Sequence, residues 1–188
     1  MGKNVLAVGA HPDDVEFSCG GTLLKHIEDG DNVTILHMTN TGYKNLLTGK
    51  VLRTSHQSQK EAKDSAEILG CNFIQLDFVE QKVPFNVDSV IAIEKVITEL
   101  NIDTIYTHSK LDCHQDHIST YKSVLAASRN IHNILLFEQL PLPRVRATDS
   151  PNFFVDVTKF FETKVEACRA HVSQVEGKYG EKIINSLV

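Results

Sequence analysis

The stretch Asn4–Ala10 (NVLAVGA) is a nearly continuous apolar run, the pattern of a strand covered on both faces of a sheet. Gly20–Asp29 (GGTLLKHIED) follows with helical spacing and stops at Gly30, which suits the left-handed position after a helix. Asn32–Thr39 (NVTILHMT) predicts a second strand, and the polar stretch Asn40–His56 separates it from a helix over about Ser58–Leu69 that stops at Gly70. Phe73–Leu76 predicts a short strand, Val87–Leu100 an amphipathic helix, Asp103–His108 a strand, Ile118–Arg129 a helix and Ile134–Glu138 a strand. Phe153–Val157 reads as a further strand and Thr158–His171 as a last helix. Between them, Leu140–Pro151 carries three of the five prolines and reads as an irregular loop.

Alternation of this kind predicts an α/β fold of Rossmann-like character: a mostly parallel sheet flanked by helices on both faces, in a single domain over residues 1–188. Open sheets of this class bind ligands outside the carboxyl ends of their strands. Chemistry is therefore expected just after Ala10, Thr39, Leu76, His108 and Glu138.

Composition narrows the setting. A net charge of −5 with neutral histidines lacks the basic surplus of a nucleic-acid binder. No apolar run approaches the roughly 20 residues that span a bilayer, and the first residues lack the pattern of a secretory signal. Cys19, Cys71, Cys113 and Cys168 are scattered without a C-x-x-C pair, which fits a reducing cytoplasm better than a disulfide scaffold.

Two of the predicted strand ends carry unusual side chains. After the first strand stands His11-Pro12-Asp13-Asp14-Val15-Glu16, an imidazole and two adjacent carboxylates in a turn stiffened by proline. Adjacent aspartates point in different directions, so one can ligate a metal while its neighbour faces a substrate. Read alone, an aspartate here is as easily a helix N-cap. After Asp103–His108 stands His108-Ser109-Lys110-Leu111-Asp112-Cys113-His114-Gln115-Asp116-His117, with three histidines and two carboxylates. His114 and His117 share one face if a helical turn starts there. A lone H-x-x-H is weak, but two His/Asp clusters on one sheet edge favour a metal site. Three protein ligands with an open fourth position make the pattern of catalytic zinc. Zinc lowers the pKa of its water from about 15.7 to about 7, roughly 12 kcal/mol at neutral pH. No other feature of the chain offers an effect of that size.

The motifs Ala10-His11-Pro12-Asp13-Asp14-Val15-Glu16 and His114-Gln115-Asp116-His117 resemble those of the LmbE-like, or PIG-L, family of zinc-dependent de-N-acetylases. Phe17–Leu23, Thr39–Gly42, Glu61-Ala62, Ile68–Gly70, Phe154–Val157, Lys164 and His171–Gln174 also look like family positions, so the resemblance covers nearly the whole chain. It implies His11, Asp14 and His117 as zinc ligands and Asp13 as the general base acting on the attacking water. It implies His114 above the acetyl group, stabilising the oxyanion when charged, with Asp116 orienting or tuning His114. The implied reaction removes acetyl from an N-acetylated amino sugar or its conjugate. Iron or another divalent ion in place of zinc stays open, as does a homo-oligomer. Gln115 stands where the family has proline, and Ser58 where many members carry a substrate-contacting arginine, with Arg53 further upstream.

Several residues keep two readings. His108 sits where it either reaches the pocket or packs, His171 reads first as structural, and Glu16 as support for the turn. Arg144 and Arg146 either bind an anionic part of the substrate or are solvated. His26, His37, His56 and His132 receive no function. A zinc hydrolase of another small N-acyl amide and a non-catalytic metal-binding module remain alternatives. A dinucleotide-binding reading fails, because the first strand–helix turn lacks G-x-G-x-x-G.

Overall fold

A computed structural model describes residues 2–40, 42–45, 47–139, 151–176 and 184. Strands β1 (Asn4–Gly9), β2 (Asn32–Thr39), β3 (Asn72–Phe78), β4 (Thr104–His108) and β5 (Asn133–Phe137) form one sheet in the order β3-β2-β1-β4-β5. Every neighbouring pair is parallel. Helices α1 (Asp14–Glu28), α2 (Ser55–Leu69), α3 (Val87–Glu99), α4 (Gln115–Ala127), α5 (Phe161–Ala170) and the short α6 (Val172–Val175) cover it. No helix among the described residues is long and apolar enough to cross a membrane.

The period-2 alternation of β1 divides the core into two layers. Val5 and Ala7 pack with Val33 and Ile35 against Val15, Cys19 and Leu23 of α1, Ala66 and Leu69 of α2 and Ala167 of α5. Leu6 and Val8 face the other way, with Leu36 and Met38 against Ile93, Val96 and Ile97 of α3 and Val124 and Ala127 of α4. All four β1 side chains are at 0% exposure. Each fully buried Val or Leu contributes about 1.5–3 kcal/mol of hydrophobic stabilisation. The central strand is therefore the most firmly held part of the sheet, and its carboxyl end is a rigid mount.

Winding runs from β1 outward through β2 to β3, then returns to the other side of β1 with β4 and β5. The crevice at this reversal lies between the carboxyl ends of β1 and β4, where the two His/Asp clusters emerge.

Helix α1 and the segment Phe153–Val157 differ from the sequence expectation. Helix α1 begins at Asp14, not Gly20, because its first turns (Asp14–Cys19) are almost wholly buried and carry no exposed polar face to reveal a helical period. Gly21 within it answers a packing need, since a Cβ there would lie 2.9 Å from Val157 Cβ. Phe153–Val157 is not a strand. It runs without a ladder partner among the described residues, and Asp156 accepts from the N–H and Oγ1 of Thr158 to start a 3-10 turn (Thr158–Phe160) ahead of α5. The expected loop Leu140–Pro151, with Arg144 and Arg146, lies outside the described residues apart from Pro151.

Candidate metal centre

The turn from β1 into α1 is unusual in its backbone. Asp13, the N-cap of α1, has φ 115° and ψ −28°, a conformation that costs a non-glycine residue about 1–3 kcal/mol. The spacing Asp13-x-x-Glu16 suits a capping box, yet no side-chain cap bond forms. A filled cap is worth about 1 kcal/mol. The turn thus accepts strain and forgoes a cap together. Gly9 leaves room for the next residues, since a Cβ on it would sit 3.0 Å from Asp14 Cβ and 3.1 Å from Val15 Cγ2.

Three side chains converge on one point. His11 Nδ1 and His117 Nε2 are 3.3 Å apart, His11 Nδ1 is 3.5 Å from Asp14 Oδ2, and His117 Nε2 is 3.4 Å from Asp14 Oδ1. A tetrahedral zinc with nitrogen and oxygen ligands at about 2.0–2.1 Å has ligand–ligand edges of about 3.3–3.4 Å. The two imidazole nitrogens are spaced as one edge of that tetrahedron, and Asp14 turns one carboxylate oxygen toward each of them at a similar distance. All three residues are buried, with exposures of 8%, 3% and 5% for His11, Asp14 and His117.

A carboxylate holds each imidazole from behind. His11 Nε2 lies 2.9 Å from Asp116 Oδ2, and His117 Nδ1 lies 2.8 Å from Asp112 Oδ2. In the neutral rings these bonds place the proton on the nitrogen facing the carboxylate, which would leave His11 Nδ1 and His117 Nε2 with lone pairs for an ion that displaces any second proton. Asp116 is itself fixed by the backbone N–H groups of Gln81 (2.6 Å) and Val83 (3.1 Å), and Gln81 takes φ 66° to reach it. The His11 backbone N–H donates to Asp14 Oδ2 at 2.7 Å, closing the turn on its own ligand.

Electrostatics follow from this crowding. Burial alone would raise the Asp14 carboxyl, but His117 and His108 beside it hold it well below the usual range. Burial would lower His117, and the charge of Asp14 with the hydrogen bond that His117 donates to Asp112 instead raises it to about 10 in the metal-free chain. His11 is raised against the effect of burial, chiefly through Asp116 and Asp14. Asp13 is raised to about 6, first by burial and then by the adjacent Asp14 charge, with Arg53, His171 and His11 opposing. His114 is lowered by burial and by the neighbouring His11 and His117.

Each sequence-predicted site residue lies here, with two differences in detail. The Asp116 side chain contacts His11, not His114; only its backbone N–H meets His114, donating to Nδ1 at 3.2 Å. That bond makes His114 the N-cap of α4, so the helix starts at Gln115 and not Ile118. It also occupies the Nδ1 lone pair. With its pKa lowered, His114 is then a neutral imidazole carrying its proton on Nε2, where the sequence reading expected a charged ring.

His108 is wholly buried. Its Nε2 accepts from the Ala10 N–H at 3.0 Å, and its ring stacks on His117 with centroids 4.0 Å apart. Among the described residues, ligand atoms all within 4.8 Å of one another occur in the sets His11, His114, His117 and Asp14, His108, His117, which share His117 and between them contain His11 and Asp14. His114 Nδ1 and His108 Nε2 accept backbone hydrogen bonds. Arg53 is buried at 2% exposure, with NH2 3.3 Å from Glu80 and NH1 directed at the Pro12 carbonyl. A cavity of about 450 Å³ lined by Gln81, Lys82, Cys113, His114 and Gln115 adjoins the centre, within the range of small-molecule sites.

Asp112 escaped the sequence reading as a functional group. It stood in the right cluster, but the chain alone gives no direction for a side chain five residues before its imidazole. The loop Glu80–Val83 escaped it too, because backbone donors leave no compositional signal.

The chain is similar to several known proteins. The uncharacterized deacetylase YaiS of Escherichia coli (strain K12) is 30% identical over 181 residues, 91% of each chain. The diacetylchitobiose deacetylase of Thermococcus kodakarensis is 30% identical over 190 residues, 92% of this chain and 70% of that one. Among solved structures, the N,N'-diacetylchitobiose deacetylase of Pyrococcus horikoshii superposes with a TM-score of 0.80 at 24% identity, covering 98% of this chain and 75% of that one. Residues 6–128, which include both His/Asp clusters, match the family model PIG-L, GlcNAc-PI de-N-acetylase, and the chain belongs to that family.

Proposed function

We propose that this protein is a zinc-dependent deacetylase that removes the acetyl group from the amine of an N-acetylated amino sugar or its conjugate. One observation carries the reading: imidazoles from β1–α1 and β4–α4 meet at 3.3 Å with the Asp14 carboxylate 3.4–3.5 Å from both, spacings that suit ligands around one small ion, and Asp13 directly precedes that carboxylate in the chain. His11, Asp14 and His117 are the residues that hold the ion. When bound, zinc supplies a Lewis-acid charge that polarises an acetyl carbonyl and eases loss of a proton from water. Imidazole and carboxylate donors also suit iron, and the native metal is decided by metal analysis of protein purified without added ions.

The chain's own groups complete the chemistry. Asp13, with a pKa of about 6, is ionised at neutral pH yet still basic enough to accept a proton from the attacking water. His114 Nε2–H, its tautomer set by the bond at Nδ1, donates to the oxygen that gains charge as the amide becomes tetrahedral. Asp13 then returns its proton to the leaving nitrogen, and acetate and a free amine depart. Asp116 and Asp112 keep the two imidazoles in register throughout. The cavity beside His114 receives the sugar. Free thiols at Cys19, Cys71, Cys113 and Cys168 support a cytoplasmic setting.

The test is acetate release from N-acetylglucosamine, diacetylchitobiose and an N-acetyl amino acid by protein of known metal content. Acetate with stoichiometric free amine from a sugar supports the reading. Acetate from the amino acid alone moves the function to another N-acyl amide, and metal-replete protein inert on the whole panel refutes it.

A further inference from the structure

Between β3 and α3 the stretch Glu80–Val83 is fixed on either side of Lys82. Before it, Glu80 accepts from Arg53 NH2 at 3.3 Å, and Arg53 is itself buried. Around it, the N–H groups of Gln81 and Val83 donate to the Asp116 carboxylate at 2.6 and 3.1 Å. The Gln81 carbonyl accepts from Gln115 Nε2 at 2.5 Å, a bond that a proline at position 115 could not make. The Lys82 N–H donates to the Val79 carbonyl at 3.0 Å and closes the turn.

The Lys82 side chain is treated differently from the backbone that carries it. It is exposed, and none of the described residues forms an ion pair with its ammonium. It lines the cavity of about 450 Å³ together with Gln81, Cys113, His114 and Gln115. Those neighbours offer two amides, a thiol and an imidazole, and no carboxylate is among them. The chain as a whole carries a net charge of −5, so this cation is a local feature and not part of a general basic surface. An ammonium held at the wall of a concave site without an internal counter-ion favours a ligand that brings one.

We propose that Lys82 is a specificity-determining residue and that the substrate is an anionic conjugate, an N-acetylated amino sugar bearing a phosphate or carboxylate that the Lys82 ammonium meets in this cavity. The inference rests on the deacetylase reading and adds the charge of the substrate to it. Lysine reads an oxyanion as a point charge, and an exposed one is screened by water and salt, which sets the expected preference at about 10-fold.

The test compares kcat/KM for N-acetylglucosamine, its 1-phosphate, its 6-phosphate and N-acetylmuramic acid, which carries a carboxylate. At low salt at least one anionic sugar is preferred over the neutral one by about 10-fold, and the preference shrinks as salt is raised. Preference for a sugar phosphate alone identifies phosphate as the group read, and preference for the muramic acid alone identifies a carboxylate. Lys82→Gln brings the ratio to about 1, Lys82→Arg retains a preference, and Lys82→Glu favours the neutral sugar. Melting temperatures verify that each variant is folded. An unaltered protein that prefers no anionic sugar overturns the proposal, as does a preference that survives Lys82→Gln. A second arm needs no turnover: the same four sugars are titrated calorimetrically into zinc-loaded Asp13→Asn with and without Lys82→Gln, and the ratio of dissociation constants follows the same pattern. Should the unaltered protein deacetylate nothing, the functional reading falls, while equal binding of charged and neutral sugars in this second arm is what overturns the role of Lys82.

Discussion

Asp112 supplies no metal ligand in the proposed set, yet its replacement should weaken metal binding. Its Oδ2 lies 2.8 Å from His117 Nδ1, and its Oδ1 accepts the His114 N–H at 2.8 Å. Asparagine offers one carbonyl oxygen and one donating amide, so it serves one of these donors and opposes the other. Asp112→Asn therefore frees either the His117 ring or the start of α4, and Asp112→Ala frees both. A carboxylate behind a ligating imidazole is worth roughly 10–100-fold in metal affinity, about 1.4–2.7 kcal/mol. The same carboxylate also favours the proton on His117, which is raised to about 10 against the effect of burial by Asp14 and Asp112. Zinc and the proton compete for Nε2, so a variant at neutral pH loses help for the metal while shedding part of its competitor. The deficit should widen as the proton is removed, between about pH 7 and about pH 9. Competition titration of metal-stripped protein against a colorimetric zinc chelator reads it directly. If Asp112→Ala still binds zinc as tightly as the unaltered protein at the higher pH, this carboxylate holds no ligand and the proposed set is wrong.

Other expectations follow from the same geometry. Asp13→Asn should keep its zinc and lose about 10²–10⁴-fold in kcat; turnover of the unaltered enzyme should rise with pH through a midpoint at or below about 6, a limb the variant lacks. Asp13 has its carboxyl raised from 3.8 to about 6, so its protonated form favours the fold, fully below the lower value and no longer above the upper. Thermal melts of metal-free Asp13→Asn should therefore exceed those of the unaltered protein above about pH 6, and the gap should close in acid. Gly21→Ala pushes a methyl to within 2.9 Å of Val157 Cβ and should lower stability by about 1–3 kcal/mol in denaturant titrations without changing zinc content. Zinc at about a hundred times its dissociation constant should stabilise the fold by about 2.7 kcal/mol, seen as a higher melting temperature that a chelator reverses; no shift would mean the metal binds folded and unfolded chains alike.

What was legible in the chain depended on whether a signal survives without direction. The two-sided apolar run of β1 and the 3.6-residue period of α3 mark their elements because burial repeats with the geometry. The first turns of α1 were hidden because burial there is all round, and polar residues such as Asp14 and Glu16 face inward. Phe153–Val157 has strand composition, but composition cannot show that no neighbour offers a ladder. At the site, the two His/Asp clusters were readable because histidine and aspartate at two strand ends are rare and chemically specific, and it was the family resemblance that singled out His11, Asp14 and His117 among them. The partners of those residues were not. Asp116 serves His11 across 105 positions of chain, and only folding decides that it does not serve His114. Glu16 and His171, 155 positions apart, were read as a turn support and a packing residue, since only folding brings them within 3.4 Å of each other.

The proposed ligands all come from the two strands flanking the switch point, β1 and β4, and the helices that follow them. Strands β2, β3 and β5 contribute none, yet the chain after β3 still steadies the site, since Gln81 and Val83 hold Asp116 behind His11, and Gln81 and Lys82 also border the cavity. Replacing Gln81–Val83 with a relative's loop should therefore weaken the grip on the ion as well as change which sugar is admitted.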